Sequence, residues 1–216
     1  NPEDTAKRIL NSSAKYIGFT SVTATIPLVE EISSLVKAKD KSKVIFIGGP
    51  HVTFTAEQNL RDCQGFDIVI RGEGEITASE LIQRLEAGED ISGVEGITFR
   101  KDGKIMENPD RKFIENIDEI PFPARHLLLL NLYSPSALGN LGFKGSKYAT
   151  MITARGCPNR CVFCSSAAFW KRVRVRSPEN LIAELEYLIK EYQVGYVDFL
   201  DDTLILSKER MEKICH

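Results

Sequence analysis

The sequence predicts an α/β fold in which short buried strands alternate with amphipathic helices. Residues 16–88 and residues 148–216 each show this alternation. The strand segments are continuous apolar runs, which are typical of strands covered on both faces. The segments between them carry apolar residues three and four positions apart, which is the spacing of one helix face. Because strand–helix–strand connections are right-handed, the alternation predicts parallel sheets.

The composition is that of a globular chain with one large or two small domains. Of its 216 residues, 43% are hydrophobic and 27% are charged. The formal net charge of -2 gives no support for a nucleic-acid partner. The longest apolar run is far shorter than the roughly 20 residues that span a bilayer, so we expect no membrane span. Three of the five cysteines lie within eight positions, which indicates a metal site in a reducing compartment and predicts a cytoplasmic protein.

The first stretch predicts three strands with helices alongside them, followed by a hairpin. The strands are predicted at residues 16–20, 44–47 and 67–70. The helix after the third strand should end at Gly88. Asp102-Gly103 lies between two apolar segments and predicts a tight hairpin turn. The chain starts at Asn1 without an initiator Met, and we expect it to be part of a longer protein.

A stretch without sustained periodicity predicts a linker between two domains. It is interrupted by prolines and carries flexible glycines near its end, at Pro109, Pro121, Pro123, Gly139 and Gly145. We therefore expect a first domain at residues 1–107, a linker at residues 108–147 and a second domain at residues 148–216.

The second stretch predicts two further strands and two helices. The strands are predicted at residues 148–153 and 194–200, with one helix starting at Ser177-Pro178 and another from Ser207. Between the first strand and the first helix, basic residues alternate with valines over residues 171–176. This alternation predicts a solvated edge strand.

Three cysteines in the second stretch form a C-x3-C-x2-C array at Cys157, Cys161 and Cys164. Thiolates are soft ligands that suit zinc or iron–sulfur clusters, and this spacing lets one loop surround a compact metal centre. Structural zinc sites have four protein ligands, whereas three ligands leave one iron of a cubane cluster open to a substrate. The array favours an iron–sulfur cluster, and a zinc knuckle is the alternative.

Phe163 stands directly before the third cysteine, and the array therefore resembles the C-x3-C-x-aromatic-C motif of the radical S-adenosylmethionine (SAM) superfamily. The resemblance implies that Cys157, Cys161 and Cys164 hold a 4Fe-4S cluster whose open iron binds SAM. Reductive cleavage of SAM then gives a 5'-deoxyadenosyl radical. The resemblance also implies that Phe163 lies against the adenine, and that the chain holds the first βα units of a partial TIM barrel.

Asp201 and Asp202 follow the next predicted strand, where this superfamily binds the amino end of SAM. The usual sequence there is of the Gly-Gly-Glu type, so the match is partial. The resemblance implies that both aspartates bind SAM. Adjacent acids at a strand end can also simply solvate a loop or cap the next helix.

The loops after the three strands of the first stretch carry small and polar residues, and ligands of open parallel sheets bind beyond these strand ends. The order of Ser21, Thr23, Gly48 and Gly49 resembles the signature of the cobalamin-binding domain that precedes many radical SAM domains. The later Arg-Gly-Glu-Gly-Glu sequence, with Glu73, is also typical of it. The resemblance implies a Rossmann-like domain that binds cobalamin through these residues. The D-x-H-x-x-G motif of some cobalamin proteins is absent, so His51 is not predicted to bind cobalt.

Together these resemblances predict a radical SAM enzyme similar to the group of the anaerobic Mg-protoporphyrin monomethyl ester oxidative cyclase and the cobalamin-dependent methyltransferases. They imply a small-molecule substrate, an electron donor such as flavodoxin or ferredoxin, and methyl transfer or oxidative cyclisation. Exposed sheet edges further predict pairing with a second copy of the chain. Two alternatives remain: a methylthiotransferase-like enzyme without cobalamin, and a non-catalytic zinc-binding module.

Overall fold

The computed structural model describes residues 1–132 and 147–216, which form two compact units. The first unit is Asn1–Phe113 and the second is Ile114–His216. Each unit has its own hydrophobic core. The glycines predicted to lend flexibility to the linker lie outside the described residues.

The first unit is built on a mixed five-stranded sheet. In chain order its elements are α1 (Pro2–Asn11), β1 (Tyr16–Thr20), α2 (Ile26–Lys39), β2 (Val44–Gly48), α3 (Pro50–Phe54), α4 (Ala56–Asp62), β3 (Ile68–Ile70), α5 (Gly74–Ala87), β4 (Ile97–Lys101) and β5 (Lys104–Glu107). The strands lie in the order β1-β2-β3-β4-β5. The first three are parallel, and the hairpin β4–β5 continues the sheet in the antiparallel sense. The α/β prediction is confirmed, with an antiparallel edge added to the parallel sheet.

Helices cover both faces of this sheet, which is why its strands are continuously apolar. Ile45 and Ile47 face one cluster together with the buried residues of α1, α2 and α4. Ile68 and Ile70 face the opposite cluster, where they pack with Leu81 of α5. The central strands β2 and β3 therefore meet apolar neighbours on both faces of the sheet, as in a doubly wound arrangement.

Two glycine-dependent turns place the helix and hairpin ends where the sequence predicts them. Gly88 follows α5 in the left-handed conformation, with φ +69°. Asp102 and Gly103 both have positive φ, at +51° and +75°, and form the two-residue turn of the hairpin. Positive φ at both central positions is the geometry that matches the twist of paired strands, and Asp-Gly adopts it readily.

Arg71 holds the segment after the hairpin to the first unit. Its Nη1 donates to the Ile97 carbonyl at 2.8 Å, and its Nη2 lies 3.1 Å from Oδ1 of Asp110. Arg71 is buried at the end of β3, so these bonds satisfy a charged group away from water. Residues directly after position 107 thus contact the first unit. The division of the chain at residues 107 and 148 stays a prediction.

The second unit contains one parallel strand–helix–strand unit. Its elements include three short 3-10 helices at Ile117–Glu119, Arg125–Leu127 and Leu130–Leu132, then β6 (Lys147–Met151), β7 (Ala154–Arg155), α6 (Ser166–Trp170), β8 (Arg174–Val175), α7 (Pro178–Tyr192), β9 (Val194–Phe199) and α8 (Lys208–Cys215). Strands β6 and β9 pair in parallel, and α7 connects back between them as the crossover. Leu181 and Leu188 of α7 pack on Ala149 and Met151 of β6. Ser177 caps α7, since its Oγ accepts a bond from Asn180 N at 3.1 Å.

The basic segment at residues 171–176 differs from its prediction as a solvated edge strand. Arg174 is only 6% exposed, and its Nη1 donates to the Ile114 carbonyl at 2.7 Å. Its guanidinium also lies 5.7 Å from the ring centroid of Trp170. Strand β8 pairs with β7, so the arginine side chain turns inward to polar and aromatic partners instead of facing water.

Over residues 1–132 and 147–216, no helix combines the length and the apolar character that crossing a bilayer requires.

A buried charge cluster joins α7 to the segments around it in the second unit. Glu184 is 1% exposed, and its carboxylate lies 2.6 Å from Arg125 Nη1 and 2.5 Å from Arg176 Nη1. The two arginines also donate to main-chain carbonyls, at Thr150 and Ile152. One carboxylate therefore pairs with two guanidinium groups, and the main-chain carbonyls accept their remaining hydrogen bonds.

We predict that Glu184→Ala lowers the free energy of unfolding of the second unit by about 3–5 kcal/mol, because removing the carboxylate leaves two guanidinium groups uncompensated. Denaturant titration followed by the fluorescence of Trp170, which is the single tryptophan, measures this unit. Glu186→Ala on an exposed position of the same helix is the control and should change the value by less than about 0.5 kcal/mol. A loss below about 1 kcal/mol for Glu184→Ala would contradict the assigned role.

Candidate cofactor-binding sites

The loop that carries the three cysteines is closed at its base by a short ladder. Ala154 pairs with Val175 and Arg155 with Arg174, so β7 and β8 hold the two ends of the loop together. Gly156 follows with φ +92°, and a Cβ there would lie 2.6 Å from the Arg172 carbonyl oxygen. Glycine is therefore required directly before the first cysteine.

Each cysteine of the loop is a free thiol. Cys157 is half-buried, whereas Cys161 and Cys164 are exposed. Sγ of Cys157 lies 3.0 Å from Oγ1 of Thr203, and Sγ of Cys164 accepts a bond from Ser166 N at 3.5 Å. Three soft donors on one loop with an ordered base have the chemistry that an iron–sulfur cluster needs.

In the part of the chain that the structure describes, no three side chains of His, Cys, Asp or Glu are gathered closely enough to surround a metal ion. Metal binding commonly brings its own ligands together, because the bonds to the metal supply the free energy that orders them. The base of the loop is ordered by Gly156 and the β7–β8 ladder, and the two exposed cysteines lie beyond it.

The environment of Cys157 favours its thiolate. The hydrogen bond with the Thr203 hydroxyl lowers the pKa of the Cys157 thiol, and bonds from Asn159 lower it further. Burial and the negative charge of Asp202 act in the opposite direction, and the pKa remains below its ordinary value. The hydrogen bond with Thr203 therefore favours the thiolate, which is the form of cysteine that binds metals.

Phe163 is highly exposed on the loop, at 89% of its surface. The neighbouring Val162 is fully exposed as well. Large apolar side chains are rarely presented to water in this way without a partner, and Phe163 is free to stack on a planar ligand.

Asp201 and Asp202 have different partners, although the sequence predicts one role for both. The half-buried Asp201 carboxylate accepts bonds from Thr153 N at 3.0 Å, from the Thr153 hydroxyl at 2.8 Å and from Ala154 N at 2.6 Å. The exposed Asp202 carboxylate accepts one from the Ser166 hydroxyl at 2.6 Å. Asp202 therefore lies beside the cysteine loop with an oxygen open to a ligand, and Asp201 binds the backbone that leads into the loop.

The loops after β1 and β2 approach each other closely in the first unit. Ser21 N donates to the Gly48 carbonyl at 3.0 Å. Gly49 has φ +105°, and a Cβ there would lie 2.6 Å from the Ser21 carbonyl oxygen. These glycines let two backbones meet where a side chain would separate them.

Ser21 has a hydroxyl that is available for a ligand. The residue is 2% exposed, and within the described residues Ser21 Oγ has no hydrogen-bond partner. A buried polar atom without a partner is uncommon in folded proteins and suggests a bound group that supplies one. The close backbone approach of Gly49 beside it also fits a ligand that enters between the two loops, and these residues fit the predicted cobalamin.

The other predicted residues of the first unit lie along the same edge of the sheet. Oγ1 of Thr23 is 3.1 Å from Nδ1 of His51, so the histidine is engaged with a neighbouring loop. Glu73 follows β3 and immediately precedes α5. The edge thus brings together residues from the ends of three parallel strands.

Some residues of the two sites carry no motif in the sequence. Thr153, Ser166 and Thr203 contact the aspartates or the first cysteine, yet each is a common hydroxyl residue in an ordinary context. In the first unit three apolar side chains are about half exposed after the parallel strands, at Val22, Phe54 and Ile76. Val22 lies in the loop after β1, Phe54 ends α3 and Ile76 lies in the first turn of α5, and no sequence pattern marks these three positions.

Comparison with known proteins matches the two units to two domain families. Residues 1–82 match the model of the B12 binding domain, and residues 151–215 match that of the radical SAM superfamily. Over 208 residues the chain is 38% identical to an uncharacterized methyltransferase of Pyrococcus horikoshii, covering 96% of this chain and 44% of the relative. It is 29% identical to the anaerobic magnesium-protoporphyrin IX monomethyl ester cyclase of Rubrivivax gelatinosus, covering 97% and 37% respectively. The chain therefore spans less than half the length of these relatives.

A solved structure with the same fold is that of OxsB, a cobalamin-dependent SAM radical enzyme with aqua-cobalamin and SAM bound. It aligns with a TM-score of 0.74 at 23% identity, over 100% of this chain and 30% of that one. The alignment includes both units, so the same two folds follow one another, in the same order, in the chain of OxsB.

We predict that Thr203→Val raises the pKa of the Cys157 thiol, because the hydroxyl that stabilises the thiolate is lost. The rate of alkylation of Cys157 by iodoacetamide in the metal-free chain, measured by peptide mass spectrometry, should then rise with pH at a higher midpoint than in the unmodified chain. At a pH below that midpoint the variant reacts more slowly.

Thr203→Ser keeps a hydroxyl at this position and is the matched control. Its alkylation profile at Cys157 should follow that of the unmodified chain. An unchanged midpoint for Thr203→Val would show that Thr203 does not act on Cys157.

Proposed function

We propose that the chain is the cofactor-binding part of a cobalamin-dependent radical SAM enzyme, because residues 1–82 belong to the B12 binding domain family and residues 151–215 to the radical SAM superfamily. The observation that carries the proposal is the loop of three free cysteines on an ordered base, with the thiolate of Cys157 favoured. The whole enzyme would catalyse methyl transfer or oxidative cyclisation of a small molecule. The names of the two relatives, a methyltransferase and a cyclase, support this pair of reactions.

Cys157, Cys161 and Cys164 would hold the cluster, and Phe163 and Asp202 would contact SAM. When bound, a 4Fe-4S cluster supplies the electron that cleaves SAM to a 5'-deoxyadenosyl radical, and cobalamin serves as a carrier of a methyl group or an electron. The hydrogen bond with the Thr203 hydroxyl lowers the pKa of the Cys157 thiol. It presents an exposed aromatic ring and an exposed carboxylate on or beside the same loop. A planar base and a cationic amino group are the complementary parts of SAM.

Ser21, Thr23, Gly48, Gly49 and Glu73 would bind cobalamin at the edge of the first sheet. The unpartnered hydroxyl of Ser21 and the glycine-dependent contact beside it support this assignment. The half-exposed apolar side chains of the segments that follow the parallel strands suit the large apolar surface of a corrin ring.

We propose that residues 1–107 form the cobalamin-binding domain and residues 148–216 the start of the radical SAM barrel, joined by residues 108–147. The two family matches lie within these bounds. An electron donor such as flavodoxin or ferredoxin would reduce the cluster. The free cysteines support a reducing, cytoplasmic environment. We also propose that the chain pairs with a second copy through exposed sheet edges.

Anaerobic reconstitution with iron and sulfide tests the cluster. We expect about four iron and four sulfide ions per chain, and cleavage of SAM to 5'-deoxyadenosine with a chemical reductant. Replacing any of Cys157, Cys161 or Cys164 with alanine should abolish SAM cleavage. Alanine at Cys63 or Cys215 should leave it intact, since both lie outside the loop.

Elemental analysis of the purified chain completes this test. Tightly bound zinc with no capacity for iron, or a colourless product after reconstitution, would contradict the proposal and favour the zinc-binding module.

Titration with hydroxocobalamin, followed by its visible absorption, tests the first unit. We expect Gly49→Ala to weaken binding by at least about tenfold, because a Cβ there would push against the Ser21 backbone. Gly103→Ala is the matched control. Gly103 also has a positive φ, at +75°, and nothing lies within 4 Å of an added Cβ. The alanine variant therefore introduces backbone strain without a steric clash.

Thermal melting of both variants separates binding from stability. If the unmodified chain fails to bind hydroxocobalamin, or if both glycine variants bind alike, the assignment of this site is wrong and the enzyme without cobalamin is favoured.

A further inference from the structure

Thr153 is the point where the second unit turns from strand β6 into the cysteine loop. The residue is 1% exposed and lies between the end of β6 and the start of β7. Its N–H and its hydroxyl both donate to Asp201, at 3.0 Å and 2.8 Å, and the N–H of Ala154 donates to the same carboxylate at 2.6 Å. A carboxylate can accept about four hydrogen bonds, so one short stretch of chain occupies most of its capacity.

The remaining polar group of Thr153, its carbonyl, is hydrogen-bonded as well. Its carbonyl accepts from Arg176 N at 3.0 Å and from Arg210 Nη2 at 2.9 Å. Thr153 is therefore tied to the end of β9, to the segment after β8 and to helix α8. A residue held by four bonds from three parts of the chain has little freedom to move.

This fixed point lies a short distance before the first cysteine. Arg155 pairs with Arg174 in the ladder, and Gly156 packs against the Arg172 carbonyl, so the backbone between Ala154 and Cys157 is constrained at each step. Thr203, two residues after Asp201, stands 3.0 Å from the sulfur of Cys157. The end of β9 thus contacts the loop both at its start and at its first metal ligand.

We propose that Asp201 is a positioning residue that clamps the start of the cysteine loop to the end of β9 and thereby places Cys157 for cluster assembly. The inference rests on the proposed function, and it separates the two adjacent aspartates. The exposed Asp202 accepts a bond from the half-buried Ser166 and can turn to SAM. If Asp201 turned to SAM, the buried N–H groups of Thr153 and Ala154 would lose their acceptor, which is unfavourable.

Amide hydrogen exchange of the full 216-residue chain, free of metal and SAM, measures the clamp directly. In Asp201→Asn the oxygen that all three donors share becomes an uncharged and weaker acceptor, and the second oxygen, 3.1 Å from Thr153 N, is replaced by an NH2 group that cannot accept. We expect the N–H groups of Thr153 and Ala154 to exchange about tenfold faster or more. Asp202→Asn is the matched neighbour and should leave both exchange rates unchanged.

Reconstitution then separates positioning from SAM binding. Asp201→Asn should take up less iron than the unmodified chain even without SAM. Asp202→Asn should reach full iron content and instead bind SAM more weakly. If Asp201→Asn keeps normal exchange and full iron content and loses only SAM affinity, Asp201 is a ligand and the inference is wrong.

Thr153 provides a second test in case Asp201→Asn does not fold, which circular dichroism would reveal. Thr153→Ser keeps both donors to Asp201 and should behave as the unmodified chain. Thr153→Val removes the hydroxyl donor at nearly constant volume, and should speed exchange at Ala154 and lower iron uptake. Equal behaviour of these two variants would also overturn the inference. Amide exchange is measured without metal, so its result does not depend on iron uptake. A chain that never takes up iron would contradict the proposed function, and the contact between Asp201 and Thr153 could still be tested by exchange.

Discussion

The carboxylate of Asp201 is the contact on which the cysteine loop of the second unit depends. A parallel pair such as β6 and β9 leaves backbone N–H groups without partners where the strands end. In this chain the donors just beyond β6 find an acceptor in a side chain just beyond β9. One charged group therefore satisfies buried donors and fixes the direction in which the chain leaves the sheet. The loop, its ladder and its first thiol follow from that direction.

In the first unit, the loops at the strand ends are held together without a charged side chain. Ser21 N is satisfied by the Gly48 carbonyl, and Gly49 lets the two loops approach within backbone contact. The Ser21 hydroxyl is left buried without a partner among the described residues. In the second unit the polar groups at the strand ends are largely satisfied by each other, while the exposed thiols, Phe163 and Asp202 remain open. The two edges thus differ in what they offer a ligand: a hydroxyl and close backbone in one, soft donors with an aromatic ring and a carboxylate in the other.

Stability and chemistry are divided among different residues within the second unit. Glu184 of α7 forms ion pairs with two arginines, and all three residues lie outside the cysteine loop. Ser177 caps α7, with its N–H bound by Asp118. These contacts hold the strand–helix–strand unit that carries the loop. The loop residues therefore do not have to stabilise the fold and can serve ligand binding, as is usual for loops on a rigid scaffold.

The sequence by itself determined the α/β fold, the strands β1 to β6 and β9, the Asp-Gly hairpin turn and the array of three cysteines. These follow from local physics, since strand burial, helix periodicity, turn conformation and ligand spacing are each written within a few residues. Only the tertiary structure decided that the hairpin joins the sheet, that Arg174 turns inward to Trp170, and that Asp201 and Asp202 have separate partners. Thr153 and Asp201 are 48 positions apart, which is farther than any short sequence motif extends. Which of two adjacent carboxylates meets a buried amide depends on how distant segments pack, and no local pattern encodes it.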